Sequence, residues 1–383
     1  MPPIIYLDNS ATTAPLPEVT AVINGMLTEN YGNPSSLHGL GVKAEKALGE
    51  ARRQVAGLIG AGPGEIYFTS GGTEANNWAL RGVARARRRQ GKHLITTVIE
   101  HPSILATCRS LEVEGYEVTY LPVDARGQVR PADLEVALGE DTILVSIMSV
   151  NNEIGSRQPV AEVARLVHSR SRAVFHVDHI QGYGKIPLDC HRDGIDLLSL
   201  SAHKIHGPKG VGALYIKEGL RLEPLLTGGG QEAGQRSGTE NTPGIAGFGV
   251  AARLAAADFT ARTTRMQEIK LELARRLVAE IPGAVINGPD PAAAAPQILN
   301  VSFPGVRAEV LVHMLEQRGV YVSTGSACHS RHQDASHVLQ ALHLERWRQE
   351  GAIRISLGAL NTPAEIAPVV AAFKDCVQEL WSL

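Results

Sequence analysis

The chain has 383 residues, of which 44% are hydrophobic and 20% are charged, and its formal net charge is −2. A chain of this length buries a large core and suits one large domain with one smaller domain. The near-neutral charge gives no general electrostatic reason to bind nucleic acid or an anionic membrane, and no apolar run approaches the roughly 20 residues that span a bilayer.

The N-terminus and the cysteines both favour a cytoplasmic protein. The opening segment, Met1 to Asp8, has neither a basic start nor a cleavable apolar core, so we do not expect secretion. The cysteines are widely spread and form no CxxC pair, which fits a reducing compartment better than a disulfide framework. They are Cys108, Cys190, Cys328 and Cys376.

Strand-like and helix-like segments alternate from about residue 64 to about residue 216. The strand-like segments end at Ser70, Val98, Met148, Asp178 and Lys204, and helices are predicted from near Thr73, from near Ser103 and after Pro159. Such alternation is typical of a mostly parallel sheet with helices on both faces. The cations between Arg85 and Lys92 lie at the end of one predicted helix, where they complement the helix dipole, and this explains them better than a nucleic-acid surface does.

The pattern changes beyond residue 242. An Ala/Leu/Arg-rich stretch between about 243 and 282 predicts a long helix or a helix pair, and Asn287 to Pro291 predicts an exposed loop. Short strands are predicted over Gln297 to Phe303, near Val320 to Val322 and over Ala352 to Leu357, with helices between and after them. This part of the chain therefore predicts a smaller α+β domain.

Polar residues follow the ends of successive predicted strands. Ser70 to Asn77 is a glycine-rich strand-to-helix turn, whose backbone N–H groups suit a phosphate, although such clusters also serve as ordinary helix caps. His101, Asn151 to Gly155, Asp178 and Lys204 follow later strands, and each alone is a weak signal. Because ligands of open α/β sheets bind at the carboxyl ends of the strands, their convergence predicts a binding site there.

Lys204 and Asp178 suggest what this site binds. On residue type alone, a lysine at the start of a loop is more often a solvated surface charge. A buried lysine, however, has a lowered pKa and becomes an amine for Schiff-base chemistry. Asp178 could then pair with a pyridinium nitrogen, which is the arrangement that pyridoxal phosphate requires.

Cys328 lies in a stretch of small and polar residues from Ser323 to His332. Neighbouring histidines and an arginine would lower the pKa of an exposed thiol from its usual value of roughly 8.5 toward neutrality. The other cysteines occur in helical or mixed contexts and are expected to be buried. A metal site at His329, His332 and His337 is disfavoured by their irregular spacing and by the absence of an HExxH pattern.

Several distinct motifs are distributed along nearly the whole chain. They are Tyr6 to Thr13, Gly32 to His38, Thr69 to Asn77, Asn151 to Gly155, His176 to Asp178, Ser201 to Gly212, Arg236 to Thr239, Ser326 to Ser330 and Ile353 to Gly358. With these motifs in this order, the chain closely resembles the cysteine desulfurases of the NifS/IscS type. These enzymes belong to the class-V aminotransferases, within the fold-type I pyridoxal phosphate enzymes.

The resemblance implies a fold and a domain division. It implies an α/β large domain, residues 15–255, with a mostly parallel seven-stranded sheet flanked by helices. Residues 1–14 and 256–383 would form a smaller α+β domain that carries the catalytic-cysteine loop, at about 323–335.

The resemblance also implies roles for individual residues. Lys204 would be the Schiff-base residue, Asp178 the partner of the ring nitrogen, His101 the residue stacked on the ring, and Cys328 the sulfur acceptor. By position, the resemblance also places Asn152 and Gln181 at the phenolic oxygen of the cofactor. Its phosphate would be held by Gly72, Thr73, Ser201, His203 and, from the neighbouring subunit, Thr239. The substrate carboxylate would be bound by Arg354, with Asn33 nearby.

The implied reaction removes sulfur from L-cysteine. The freed Lys204 would take the Cα proton, and the Cys328 thiolate would attack the substrate sulfur, giving L-alanine and a Cys328 persulfide. The implied partners are a second subunit that shares the active sites and a sulfur acceptor of iron-sulfur cluster assembly or tRNA thiolation, with no direct nucleic-acid contact. Alternatives are a selenocysteine lyase, an ordinary aminotransferase, and a non-catalytic sulfur-assembly or RNA-binding subunit.

Overall fold

A computed structural model describes residues 4–324 and 336–382. The strands are β1 (Ile5–Tyr6), β2 (Ile66–Thr69), β3 (His93–Thr97), β4 (Glu117–Leu121), β5 (Thr142–Met148), β6 (Val174–Asp178), β7 (Leu197–Ser201), β8 (Gly212–Ile216), β9 (Val285–Ile286), β10 (Ile298–Ser302), β11 (Val320–Tyr321) and β12 (Ala352–Ser356). The helices are α1 (Pro17–Thr28), α2 (Gly39–Gly57), α3 (Gly72–Ala86), α4 (Pro102–Val113), α5 (Pro131–Ala137), α6 (Val160–Arg170), α7 (Thr242–Ala257), α8 (Phe259–Glu280), α9 (Ala308–Gln317), α10 (His337–Ala341), α11 (Arg346–Glu350) and α12 (Ile366–Trp381).

A seven-stranded sheet forms the centre of the fold, in the order β2-β8-β7-β6-β5-β3-β4. The pairs from β7 through β6, β5 and β3 to β4 are parallel, whereas β8 runs antiparallel to both β7 and β2. The predicted α/β fold with a mostly parallel sheet is confirmed. The carboxyl ends of β2, β3, β5, β6 and β7 consequently share one edge of the sheet.

Side chains of β6 alternate between two layers of core. Phe175 and Val177 join one apolar cluster with Phe248 of α7, whereas Val174 joins another with Trp78 of α3. All five residues of β6 are buried because helices cover both faces of the sheet. Since side-chain direction alternates along a strand, Asp178 lies on the α3 side of the sheet.

The C-terminal part has its own core. Strands β12, β10 and β9 form an antiparallel sheet, β1 pairs in parallel with β11, and these strands pack with α8, α9 and α12. The stretch predicted as a long helix or helix pair is a pair, α7 and α8, which meet at Asp258. The predicted domain boundaries stay a prediction. Among residues 4–324 and 336–382, no helix combines the length and apolar content needed to cross a bilayer.

His206 connects three distant parts of the chain. It follows the Lys204 turn with a left-handed φ of 65° and is only 5% exposed. Its Nδ1–H donates to the Ala14 carbonyl oxygen at 2.8 Å, and its Nε2 accepts from the Ala359 amide at 3.0 Å. Each ring nitrogen therefore has a fixed role, and the ring holds the N-terminal segment, the Lys204 turn and the turn after β12 together.

We expect His206→Ala to lower the free energy of unfolding by about 2–3 kcal/mol, because two buried hydrogen bonds are lost and their partners stay buried. His343→Ala is the matched control, since His343 also has a left-handed φ, 52°, but is exposed. Urea unfolding of both variants measures the difference. Equal stability of the two variants would contradict the connecting role of His206.

Candidate active site at the sheet edge

Lys204 lies where the sheet edge meets the N-terminal segment. The strand predicted to continue to Lys204 ends at Ser201, and a 3-10 turn, Ala202–Lys204, carries the lysine instead. The turn forms because the backbone N–H of Ile205 bonds to the Ala202 carbonyl oxygen. Lys204 Nζ donates to the carbonyl oxygens of Ser10 and of Ala11, the latter at 2.8 Å. The amine is thereby aimed along the sheet edge by backbone oxygens.

Asp178 ends β6 and is 5% exposed. Its Oδ1 accepts from the backbone N–H of Ile180 at 3.0 Å, and its Oδ2 accepts from Asn76 Nδ2 at 2.8 Å. Asn76 lies in the second turn of α3 and is fully buried. Sequence reasoning gave Asn76 no role, and its only signal was an amide on the helix that follows the glycine-rich turn.

His101 is the N-cap of α4 at the end of the neighbouring strand region. Its Nδ1 accepts from the Ser103 backbone N–H at 3.1 Å and lies 2.8 Å from Ser103 Oγ. Burial lowers the pKa of His101, Asp178 opposes this effect, and Lys204 and His337 add to it. These interactions place His101 in the same electrostatic environment as Asp178 and Lys204.

Two further histidines flank Asp178. His176 bridges the hydroxyls of Ser146 and Ser199 at 2.8 and 2.9 Å, and His179 contacts Ser149 Oγ at 2.8 Å. Burial lowers the pKa of His176 to about 3, and burial together with Lys185 lowers that of His179 to about 3. Both rings are therefore neutral beside Asp178 at neutral pH.

The start of α3 has the features of a phosphate site. Its N-cap is Gly71, so no side chain caps the first-turn N–H groups, and Thr73 is exposed beside them. A Cβ on Gly72 would lie 2.1 Å from Ile180 Cδ1, so the Ile180 side chain packs directly against the Gly72 backbone and would have to shift to admit a larger residue. Ser201 is 2% exposed nearby in β7, and His203 Nδ1 lies 3.2 Å from Thr12 Oγ1.

Gln181 and Asn152 lie in the segments that follow β6 and β5 respectively. Gln181 Nε2 donates to the Ser10 carbonyl oxygen at 3.0 Å, the same oxygen that Lys204 contacts. Among the described residues, Gln181 Oε1 is buried without a hydrogen-bond partner. An orphaned acceptor beside the lysine and an uncapped helix start fit a ligand with a hydroxyl donor and a phosphate, as pyridoxal phosphate has.

Arg354 enters the site from β12, and its side chain is buried. Its Nη2 donates to Asp8 Oδ1 at 2.7 Å, and its Nη1 donates to the Asn152 carbonyl oxygen at 3.1 Å. The guanidinium therefore already holds one carboxylate at the site. Asn33 and Thr239, in contrast, are exposed, and Asn33 Oδ1 accepts from the nearby Ser35 N–H at 2.9 Å.

Cys328 lies outside the described residues, but the chain on both sides of its segment contacts the site. Ser323 pairs with Arg354 through backbone hydrogen bonds of 2.7 and 3.2 Å. Ser336 Oγ donates to Glu153 Oε2 at 2.5 Å, and His337 Nε2 donates to the Glu100 carbonyl oxygen at 3.0 Å. Residues 324 and 336 thus both lie near the sheet edge.

The remaining cysteines are buried in the core. Burial raises the pKa of Cys108 to about 12 and that of Cys376 to about 11, and it raises the pKa of Cys190 well above its usual value. The three thiols are poor nucleophiles at neutral pH. Within the described residues, no cluster of histidine, cysteine and carboxylate side chains suits a metal ion, and His329 and His332 lie outside that part of the chain.

The chain is similar to known proteins over nearly its whole length. Residues 5–369 match the family model described as Aminotransferase class-V. "Cysteine desulfurase IscS" of Methanosarcina thermophila is 44% identical over 379 residues, which cover 99% of this chain and 93% of that protein. A solved structure entitled "NIFS-LIKE PROTEIN" is 40% identical, with a TM-score of 0.92, and the match covers 98% of this chain and 100% of that one. Another, "SspA in complex with cysteine", is 35% identical, with a TM-score of 0.82 and coverages of 92% and 99%.

The buried titratable groups predict how stability depends on pH. His176 and His179 have folded pKa values below their unfolded value of about 6.5, so the unfolded state binds more protons as pH falls below that value. The contribution of these two rings to stability is therefore complete above about pH 6.5, and it declines by about 1.4 kcal/mol per pH unit for each ring as pH falls. Glu100 opposes this trend, because burial raises its pKa to about 8 and the folded state keeps a proton that the unfolded state loses.

We expect His176→Gln to make the decline of stability between pH 6.5 and 5 less steep by about one proton, and Glu100→Gln to make it steeper by about one proton. Urea unfolding at several pH values measures the slope for each variant. Parallel slopes for both variants and the unsubstituted protein would contradict the burial of these two groups in the stated protonation states.

Proposed function

The chain belongs to the class-V aminotransferase family and is a pyridoxal phosphate-dependent cysteine desulfurase of the NifS/IscS type, and on this premise we propose roles for its residues. It has the fold-type I architecture of that family. The observation that carries the proposal is the placement of Lys204 just beyond the end of β7 and of Asp178 at the end of β6, since these two strands pair in parallel. Selenocysteine lyase is not favoured, because the curated relative named above, which is 44% identical to this chain, is a cysteine desulfurase.

We assign the cofactor site to the sheet edge. The first-turn N–H groups of α3 with Thr73, Ser201 and His203 would hold the phosphate, supported by the uncapped helix start. Gln181 and Asn152 would lie at the phenolic oxygen, supported by the unpartnered Gln181 Oε1 among the described residues. Bound pyridoxal phosphate supplies an electron sink for a carbanion at the substrate Cα.

Lys204 is the residue we assign to covalent attachment and proton removal. Two backbone carbonyl oxygens hold its amine at the edge, so the free amine keeps a fixed position from which to take the Cα proton. Asp178 would hold the proton on the ring nitrogen, because a buried carboxylate favours a nearby positive charge. His101 would pack against the ring as a neutral imidazole.

Arg354 is the residue we assign to the substrate carboxylate. Its guanidinium already holds the Asp8 carboxylate at 2.7 Å, and this contact supports the assignment. A substrate carboxylate would take the place of Asp8 or lie beside it. Asn33 is exposed on the segment before α2, and we assign it a contact made only with substrate bound.

Cys328 is the nucleophile in this proposal, because the other cysteines are buried with raised pKa values. Its thiolate would attack the substrate sulfur and form an S–S bond while the C–S bond breaks. The electron pair of the broken bond stays with the carbon, which becomes the methyl carbon of L-alanine after protonation. The persulfide would pass its outer sulfur to an acceptor protein in iron-sulfur cluster assembly or tRNA thiolation.

We also propose a homodimer in which Thr239 reaches the phosphate of the neighbouring subunit. Thr239 is exposed, and the turn before it is tied to α3 by an ion pair of 2.7 Å between Arg236 and Glu74. Glu74 also accepts a hydrogen bond from the Ser70 N–H at 2.9 Å. The same carboxylate therefore connects the exposed turn to the start of α3, where the phosphate is proposed to bind. The exposure of Thr239 beside the start of α3 supports the proposal that a second subunit lies at this edge.

Light scattering should find a dimer, and Thr239→Ala should bind pyridoxal phosphate about tenfold more weakly, as expected for the loss of one hydrogen bond to a charged phosphate. Equilibrium dialysis measures the affinity. A monomer with full cofactor occupancy would contradict the shared site.

Cys328→Ser should still bind pyridoxal phosphate and respond spectrally to L-cysteine, because proton removal needs no protein thiol. Its production of alanine from L-cysteine should fall about hundredfold or more, since a serine hydroxyl is neither soft nor ionised at neutral pH. Alanine and sulfide assays measure this loss.

Cys376→Ala is the control for that experiment, because it removes a buried thiol from α12 and should leave the rate unchanged. Near-normal turnover of L-cysteine by Cys328→Ser would overturn the assignment of the sulfur acceptor. Activity retained only toward L-selenocysteine would favour the lyase alternative instead.

A further inference from the structure

A continuous set of hydrogen bonds joins Asp178 to His101 through two residues with no assigned role. Asn76 Nδ2 lies 2.8 Å from Asp178 Oδ2 and 2.9 Å from Ser103 Oγ. Ser103 Oγ lies 2.8 Å from His101 Nδ1, and the Ser103 backbone N–H donates to the same nitrogen at 3.1 Å. Asn76 is fully buried and Ser103 is 7% exposed.

The direction of each hydrogen bond follows from the groups involved. An ionised carboxylate only accepts, so the amide nitrogen of Asn76 must face Asp178. The second N–H of that amide then points to Ser103 Oγ, which accepts it and has its own proton left to donate. That proton goes to His101 Nδ1, which already accepts the Ser103 N–H. His101 Nδ1 therefore faces two donors and has no room for a proton of its own.

We propose that Asn76 and Ser103 are positioning residues that fix His101 as the neutral tautomer with its proton on Nε2 and, through the same amide, fix the orientation of Asp178. The hydroxyl of Ser103 donates to His101 Nδ1 and so sets the tautomer. The amide of Asn76 donates to that hydroxyl and so orients it. A proton on Nδ1 would face two donors and break both hydrogen bonds.

The consequence for the reaction rests on the proposed function. A neutral His101 adds no positive charge beside Asp178, so the carboxylate keeps its negative charge for the ring nitrogen. An imidazolium in the same place would compete for that carboxylate and weaken the protonation of the ring. The hydrogen bonds thus keep His101 neutral, so that the negative charge of Asp178 remains available to the protonated cofactor ring.

Nitrogen-15 NMR of the histidine-labelled protein tests the tautomer, with and without pyridoxal phosphate, and His101→Gln identifies the signal. We expect Nε2 protonated and Nδ1 unprotonated at neutral pH in both forms. Ser103→Ala should raise the fraction of His101 protonated on Nδ1 about tenfold at a given pH, because one donor is lost. Ser103→Thr should restore the original tautomer.

Two more variants sharpen the experiment. Asn76→Ala should act in the same direction as Ser103→Ala, because the Ser103 hydroxyl loses the donor that directs its proton toward His101. Thr107→Val is the matched control, since the Thr107 hydroxyl lies on the same helix and donates to the Ser103 carbonyl and to Asn77 Oδ1 without contacting His101. A proton on Nδ1 in the unsubstituted protein, or equal spectra for Ser103→Ala and Thr107→Val, would overturn the inference.

The tautomer of His101 and the proposed reaction are tested by separate measurements. The tautomer is measured without cofactor, so it stands or falls independently of the assigned reaction. If the proposed function is correct, Ser103→Ala should also shift the pH dependence of the cofactor absorbance and lower kcat for L-cysteine with KM unchanged. A changed tautomer with an unchanged absorbance titration would count against the cofactor assignment and not against the positioning role.

Discussion

The buried carboxylate of Asp178 is the constraint on which the rest of the site depends. Within the described part of the chain, its oxygens accept only from neutral groups, the Ile180 N–H and the Asn76 amide, and it belongs to no ion pair. Burying an ionised carboxylate is costly unless a positive charge compensates it. The flanking His176 and His179 are neutral because burial lowers their pKa values to about 3. In the proposed function, a protonated cofactor ring would supply this positive charge.

Long-range contacts then complete the site around this carboxylate. The Ser10 carbonyl oxygen binds both Lys204 and Gln181, so the N-terminal segment fixes the amine and the amide together. Asp8 holds Arg354 from 346 residues away in the chain. His206 keeps that segment against the Lys204 turn and the turn after β12. Lys204, Gln181 and Arg354 are therefore held in place by backbone oxygens and by the Asp8 carboxylate, and groups fixed in this way need little rearrangement during a reaction.

The sequence predicted the sheet edge well because strand ends are a local signal. Alternation of apolar segments with helices places polar residues at the ends of parallel strands, which located Asp178, His101 and Asn152 on one edge. The sequence did not predict the contact of Asn76 with Asp178, because a single buried amide inside a helix produces no recognisable sequence pattern. The contact of Asp8 with Arg354 and the 3-10 turn at Lys204 depend on tertiary packing, which no local pattern encodes.

Peptide mass spectrometry measures whether the sulfur of L-cysteine is transferred to Cys328. The protein is treated with L-cysteine without an acceptor or a reductant, its thiols are alkylated, and the added sulfur is located among the cysteine peptides. The account predicts one added sulfur atom on Cys328 and none on Cys108, Cys190 or Cys376, whose thiols are buried with raised pKa values. Sulfur on one of those three cysteines, or alanine formed with no protein-bound sulfur at any time, would contradict the account.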